Sequence, residues 1–214
     1  MSLALKKKYD KEIVTKELCN AFLVDAPFPQ IRNHSDDPGL LAIGFFGNIT
    51  VDKGILDAVK VTESLVERGI NAKLVVAGKC SEKDIENMLA SNSAVEYLGP
   101  LYGKDKSSFY SSIDVFVFPT LYKNETQGIV CLEALSHGVP VVLYDTACTY
   151  LNVISDDDAV NLGEVEAMSS RVEFYYRKKI EGNISFERER SVSCFLEKRE
   201  RSFHQLSKVF DFLN

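Results

Sequence analysis

Asp114-Val-Phe-Val-Phe-Pro119 leads, across a short loop, into Glu125-Thr-Gln-Gly128-Ile-Val-Cys-Leu-Glu133-Ala134-Leu-Ser-His137-Gly138-Val-Pro140-Val-Val-Leu-Tyr144. The first segment is short, apolar and closed by proline, a pattern that suits a strand covered on both faces. Gly128 to Ser136 reads as a helix stopped by Gly138 and Pro140, and Pro140 to Tyr144 as another buried strand. A strand, a helix and a strand in succession form a βαβ unit, which requires a parallel sheet and a right-handed crossover.

The same alternation extends outward. Leu41 to Gly47, Ala72 to Ala77 and Val95 to Leu98 are further strand candidates, each bounded by Gly, Pro, Asp or Asn. Ile55, Val59, Leu65 and Ile70 suggest a helix from about Lys53. Ser81-Glu82-Lys83-Asp84 reads as an N-cap before Ile85, Met88 and Leu89, and a short helix over Ser107 to Ser112 precedes the Asp114 strand. The expected fold is α/β, a Rossmann-like three-layer sandwich with a parallel sheet. Residues 1–40 read as an extension or linker, with Asp25 to Gln30 entering as a strand or linker, 41–183 as the α/β domain and 184–214 as a C-terminal helix. That helix carries Val192, Phe195, Leu196, Phe203, Leu206, Val209, Phe210 and Leu213 at helical spacing, so it needs an apolar surface to lie on. After Asp156 no sharp motif remains.

Composition narrows the function classes. The 214 residues are 45% hydrophobic and 26% charged, with a net charge of −6, so the chain can bury a core and lacks the basic stripe of a nucleic-acid binder. Nucleic acid is therefore excluded as a partner. No apolar run approaches the ~20 residues of a membrane span, and no signal-peptide core follows Lys6-Lys7-Lys8, which points to the cytoplasm. Five scattered cysteines, Cys19, Cys80, Cys131, Cys148 and Cys194, form no Cys-x-x-Cys pair and read as free buried thiols. Asp156-Asp157-Asp158 has no interleaved ligands and reads as a solvated turn, not a cation site.

The chemistry concentrates at the strand ends. Glu125 and Glu133 are separated by seven residues, with Gly128 between them opening a helix. In open α/β sheets ligands bind outside the carboxyl ends of the strands. There the Gly128, Ile129 and Val130 amides would offer N–H groups and a positive dipole end to an anion. Gly44-Phe-Phe-Gly47-Asn48-Ile-Thr-Val-Asp52-Lys53-Gly54 ends another strand at the same edge, where Lys53 can reach a phosphate. Phe45, Phe46, Phe116 and Phe118 read as core. His137 reads as an imidazolium at the negative end of its helix.

These residues, in order, resemble the C-terminal nucleotide-sugar-binding domain of retaining glycosyltransferases of the GT-B fold, group 1 or family 4. The resemblance runs from about Leu41 to Val142. It rests on Gly47 with Asp52-Lys53-Gly54, on Leu74-Val-Val-Ala-Gly78, on Tyr97-Leu-Gly99, on Asp114 to Pro119, on the Glu-x7-Glu element, and on Glu133-Ala-x-x-x-Gly138-x-Pro140-Val-Val. It implies a nucleotide diphosphate sugar as donor and transfer to a glycan or lipid-linked acceptor without a metal or other cofactor. By the same resemblance Lys53 would hold the diphosphate and Glu125 would contact the transferred sugar and stabilise charge at its anomeric carbon. Glu133 would bind the ribose hydroxyls, and the Gly128, Ile129 and Val130 amides would hold phosphate or sugar. Gly99 and Leu101 would lie in the base-contacting loop.

The chain departs from the family pattern at three places. Asn48 stands where many members carry Arg, a second cation for the diphosphate. Gln127 replaces a Phe, and Thr146-Ala147-Cys148 replaces a small Gly-rich turn. The resemblance further implies an N-terminal acceptor domain before residue 1, through which any peripheral contact with the inner face of the membrane would come. The chain alone is then the donor half, weakly active or inactive, and its last helix could pair two copies as a homodimer. Polysaccharide assembly is the family's usual setting. The rival reading is a module that binds nucleotide sugars without transferring them. A dinucleotide-dependent oxidoreductase is disfavoured because no Gly-x-Gly-x-x-Gly follows the first strand.

Overall fold

A computed structural model describes residues 19–25, 37, 39–125, 127–146 and 153–213. Within them lies a six-stranded, wholly parallel sheet: β1 (Leu41–Phe46), β2 (Ala72–Ala77), β3 (Val95–Tyr97), β4 (Val115–Phe118), β5 (Val141–Tyr144) and β6 (Ala159–Val160). The strand order is β3-β2-β1-β4-β5-β6. The α-helices are α1 (Ile55–Glu67), α2 (Lys83–Ser91), α3 (Gly103–Ser112), α4 (Ile129–Ser136), α5 (Val165–Ile180) and α6 (Ile184–Leu213). This is the expected Rossmann-like α/β sandwich.

The period-two alternation of each strand builds two separate cores. Ile43 and Phe45, Leu74 and Val76, Val115 and Val117, and Val142 and Tyr144 face one side, where α1 and α5 cover them with Leu65, Met168, Val172 and Tyr175. Val75 and Ala77, Phe116 and Phe118, and Val141 and Leu143 face the other, under α3, α4 and Phe195 of α6. β1, β2, β4 and β5 are therefore covered on both faces, which is why these runs carry so little polar alternation, whereas the edge strand β3 leaves Glu96 exposed.

Buried charges tie the helices to the amino edge of the sheet. Asp114, just before β4 and 1% exposed, accepts the Ala42 amide at 2.9 Å and Lys179 Nζ of α5 at 2.8 Å. Arg188 of α6 lies 3.5 Å from its other oxygen and donates to the Ile113 carbonyl at 3.2 Å. Burial lowers the Arg188 pKa, and Asp114 pulls it back up.

Several sequence expectations shift. The Asp156 to Asp158 run is not a solvated turn throughout: Asp158 is fully buried and accepts Arg171 Nε at 2.6 Å, the Tyr175 hydroxyl at 2.8 Å and the Ser155 amide at 3.1 Å. Helix α1 is preceded by a 3-10 turn, Val51–Lys53, so its α-helical geometry begins at Ile55. Helix α2 starts at Lys83 with Glu82 in the cap position and no side-chain cap bond. Helix α3 begins at Gly103, earlier than Ser107, because its first turn is polar and carries no apolar signal. Helix α6 docks within the chain, against α4 and a 3-10 turn at Asn20–Leu23. Ala21 is buried beside it, and the Phe22 and Phe203 rings meet edge to face at 6.5 Å. Cys131 is a buried thiol, whereas Cys19, Cys80 and Cys194 are half-buried. Cys148, Lys6 to Lys8 and residues 26–30 lie outside the described residues.

Candidate functional site

The chain leaves β1 toward β2 and β3 on one side and returns through β4 on the other, so the strand order reverses between β1 and β4. Beyond their carboxyl ends the connecting loops diverge and open a crevice. Two close contacts shape it. Gly54, at φ 83°, lies so near the loop after β4 that a Cβ there would sit 1.8 Å from the Pro119 carbonyl oxygen. The Leu121 amide donates to the Asp52 carbonyl at 2.8 Å. The loops after β1 and β4 are thus pressed together, and this brings Lys53 and Glu125 within a 2.6 Å ion pair. Their side chains are 27% and 13% exposed, and Lys53 Nζ also lies 4.6 Å from the centre of the Tyr122 ring.

Next to this pair stands the amino end of α4. Gly128 caps it at φ 57° and supplies no side chain. The Cys131 amide bonds to the Gly128 carbonyl at 2.9 Å, leaving the Ile129 and Val130 amides at the head of the helix, where intrahelical acceptors do not exist. The cleft encloses about 350 Å³. Of the residues expected to bind a donor, Asn48, Lys53, Leu101, Glu125, Gly128, Ile129 and Val130 line it together.

Gly99 and Glu133 do not form its wall. The Gly99 carbonyl accepts the Gly78 amide at 2.9 Å, which makes it a brace between the loops after β2 and β3. Glu133 stands one turn deeper on α4, where Lys106 Nζ meets one carboxylate oxygen at 2.6 Å and the Tyr110 hydroxyl donates to the other at 2.9 Å. Burial, reinforced by the Glu133 charge, pushes the Tyr110 phenol well above its ordinary pKa, so it remains a proton donor. Lys106 Nζ in turn lies 4.9 Å from the Phe46 ring centre. Phe46 packs on the Phe109 and Tyr110 rings at the margin of the core, half-buried, and its open side lines the cleft.

His137 caps α4, but as a neutral ring. Its Nδ1 lies 2.8 Å from the Glu133 carbonyl oxygen, so Nδ1–H donates there. Burial lowers its pKa, opposed by that bond and by the Glu133 charge, and the expected imidazolium is corrected accordingly. Three residues at the site carried no motif: Lys79, Lys106 and Tyr110. Lys79 follows Gly78, the glycine just past β2, and this was its one available signal. Lys106 and Tyr110 sit on the polar-looking α3, with nothing local to distinguish them from surface and core.

A family model described as Glycosyl transferases group 1 matches residues 41–177. The chain belongs to that family. Among its relatives, the uncharacterized glycosyltransferase MJ1607 of Methanocaldococcus jannaschii is 39% identical over 103 residues, covering 46% of this chain and 26% of that protein. The capsular polysaccharide biosynthesis glycosyltransferase CapM of Staphylococcus aureus is 31% identical over 138 residues, covering 61% and 35%. The chain thus spans about a quarter to a third of the length of these group 1 relatives. The fold is similar to that of a Staphylococcus aureus TarM mutant in complex with fondaparinux, α-GlcNAc-glycerol and UDP. That match has a TM-score of 0.64 at 18% identity, over 94% of this chain and 42% of TarM. Among the described residues no helix is long and apolar enough to cross a membrane.

Proposed function

We propose that this group 1 chain is the donor-binding unit of a retaining glycosyltransferase, which moves a sugar from a nucleoside diphosphate sugar to a glycan or lipid-linked acceptor. The observation that carries the reading is the meeting of Lys53, Glu125 and the amino end of α4 around one cleft at the reversal of strand order. A cation beside the amides at a helix amino end suits a phosphate, and an adjacent carboxylate suits sugar hydroxyls and positive charge at an anomeric carbon. The likeness in fold to a protein crystallised with UDP supports the same reading.

In this mechanism Lys53 and the Ile129 and Val130 amides bind the diphosphate. Its arrival draws Lys53 from Glu125 and frees that carboxylate for the sugar. Glu133, steadied by Lys106 and Tyr110, accepts the ribose hydroxyls. As the glycosidic bond breaks, negative charge grows on the leaving phosphate, and donors already aimed at it stabilise that charge more than the ground state. Transfer on this scheme needs no metal.

Thermal shift against UDP, GDP, ADP and their sugar conjugates tests the reading, since a ligand that binds the native state raises its melting temperature. One diphosphate series is expected to stabilise the parent, with the shift abolished in Lys53→Ala and Glu133→Ala. Equal shifts in parent and variants would remove both residues from the site.

A further inference from the structure

The cleft's electrostatics leave one role unfilled. Its lysines are Lys53 and Lys79, and Lys53 is already neutralised by Glu125 at 2.6 Å. A diphosphate brings charge on two phosphoryl groups, and one engaged lysine does not balance them. Asn48 lines the same cleft and can donate a hydrogen bond but no charge.

Lys79 stands directly across from Asn48. The loops after β1 and β2 continue side by side in the register of their strands: the bridge Ile49↔Cys80 keeps the same offset as Phe46↔Ala77. Position 79 is therefore the partner of position 48. The backbone there is held on both sides. The Gly47 amide donates to the Ala77 carbonyl at 3.1 Å and the Ile49 amide to the Lys79 carbonyl at 2.9 Å, while the Gly78 carbonyl accepts the Tyr97 hydroxyl at 3.0 Å. Gly78, at φ 132°, lets the loops touch: a Cβ there would lie 1.8 Å from the Gly47 carbonyl oxygen. The Lys79 side chain is exposed, and among the described residues it forms no ion pair.

We propose that Lys79 is the second cation of the diphosphate site, supplying from the loop after β2 the charge that Asn48 does not supply from the loop after β1. This rests on the donor-site reading above. An ammonium on a fixed Cα and a flexible stem can close on whichever phosphoryl oxygen Lys53 leaves unmatched.

Isothermal titration with UDP, GDP, ADP and the matching monophosphates separates the two claims. The parent is expected to bind one diphosphate more tightly than its monophosphate. Lys79→Ala should weaken that diphosphate about tenfold, keep the monophosphate within about twofold, and flatten the salt dependence. Adding Asn48→Arg to Lys79→Ala should restore most of the loss, an outcome that general damage to the loop would not give. If the parent binds a diphosphate and Lys79→Ala binds it equally well, Lys79 is rejected and the donor site stands. A parent that binds no diphosphate overturns both.

Discussion

The two edges of the sheet carry similar residues in opposite circumstances. At the amino edge Asp114 meets Lys179 and Arg188, and Asp158 meets Arg171 and Tyr175, with the acids at most 2% exposed and ringed by fixed donors. At the carboxyl edge Lys53 meets Glu125 and Lys106 meets Glu133, every side chain between 13% and 28% exposed. A buried acid surrounded by donors cannot change partner without stranding a charge in the interior, so it holds elements together. A partly exposed pair that lines a cleft, as Lys53 and Glu125 do, can exchange its partner for a ligand at little cost. Ion pairing alone does not separate structural from functional charge in this chain; burial and the presence of a cavity do.

Removing Asp114 should break the contrast most severely. Asp114→Ala removes the buried carboxylate that Lys179 and Arg188 both face and should cost about 3–5 kcal/mol in urea denaturation. A loss below about 1 kcal/mol would mean that the amino edge is as exchangeable as the carboxyl edge. Lys53→Ala should do the reverse. Stability should change by less than about 1 kcal/mol because the pair is partly screened by solvent, while diphosphate affinity should fall about tenfold or more.

Lys106→Ala sharpens the comparison within the carboxyl edge. It leaves Glu133 held by Tyr110 alone, and nucleotide affinity should drop about threefold to tenfold through loss of ribose positioning. Nucleosides and nucleotides should lose equally, because the effect lies away from the phosphates; a loss confined to diphosphates would place Lys106 elsewhere. The smallest effect is at His137, whose folded pKa is lowered by burial. The unfolded chain then binds the proton more readily, so stability declines as pH falls below the ordinary histidine value and levels off under the lowered one. His137→Gln should flatten that slope in denaturation curves measured across this range. An unchanged slope would assign the pH response to other groups.

Legibility in the sequence followed the length and regularity of each signal. β1, β2, β4 and β5 are apolar runs between turn residues, and Gly128, Gly138 and Pro140 mark both ends of α4, so the parallel sheet could be read directly, whereas the strand order with its reversal between β1 and β4 came only from the structure. β6 spans two residues, too few for any periodicity. Helix α5 buries Met168, Val172 and Tyr175 at helical spacing, but Arg171, Lys178 and Lys179 dilute that face. Arg171 and Lys179 look like surface charges until the acids they bind, Asp158 and Asp114, are brought beside them. The Glu-x7-Glu element and Lys53 were legible because each belongs to a short motif just past a single strand, β4 for the first and β1 for the second.

By itself, then, the sequence determined the parallel α/β architecture, the edge at which the cleft opens and the family to which the chain belongs, because those follow from apolar periodicity, glycine and proline placement, and ordered motifs. Only the tertiary structure decided that Lys53 pairs with Glu125, that Glu133 stands behind Lys106 and Tyr110, that Asp158 is buried, and that Lys79 faces Asn48. Each of these joins residues from separate elements, and no local pattern encodes a distance that exists only after the elements pack.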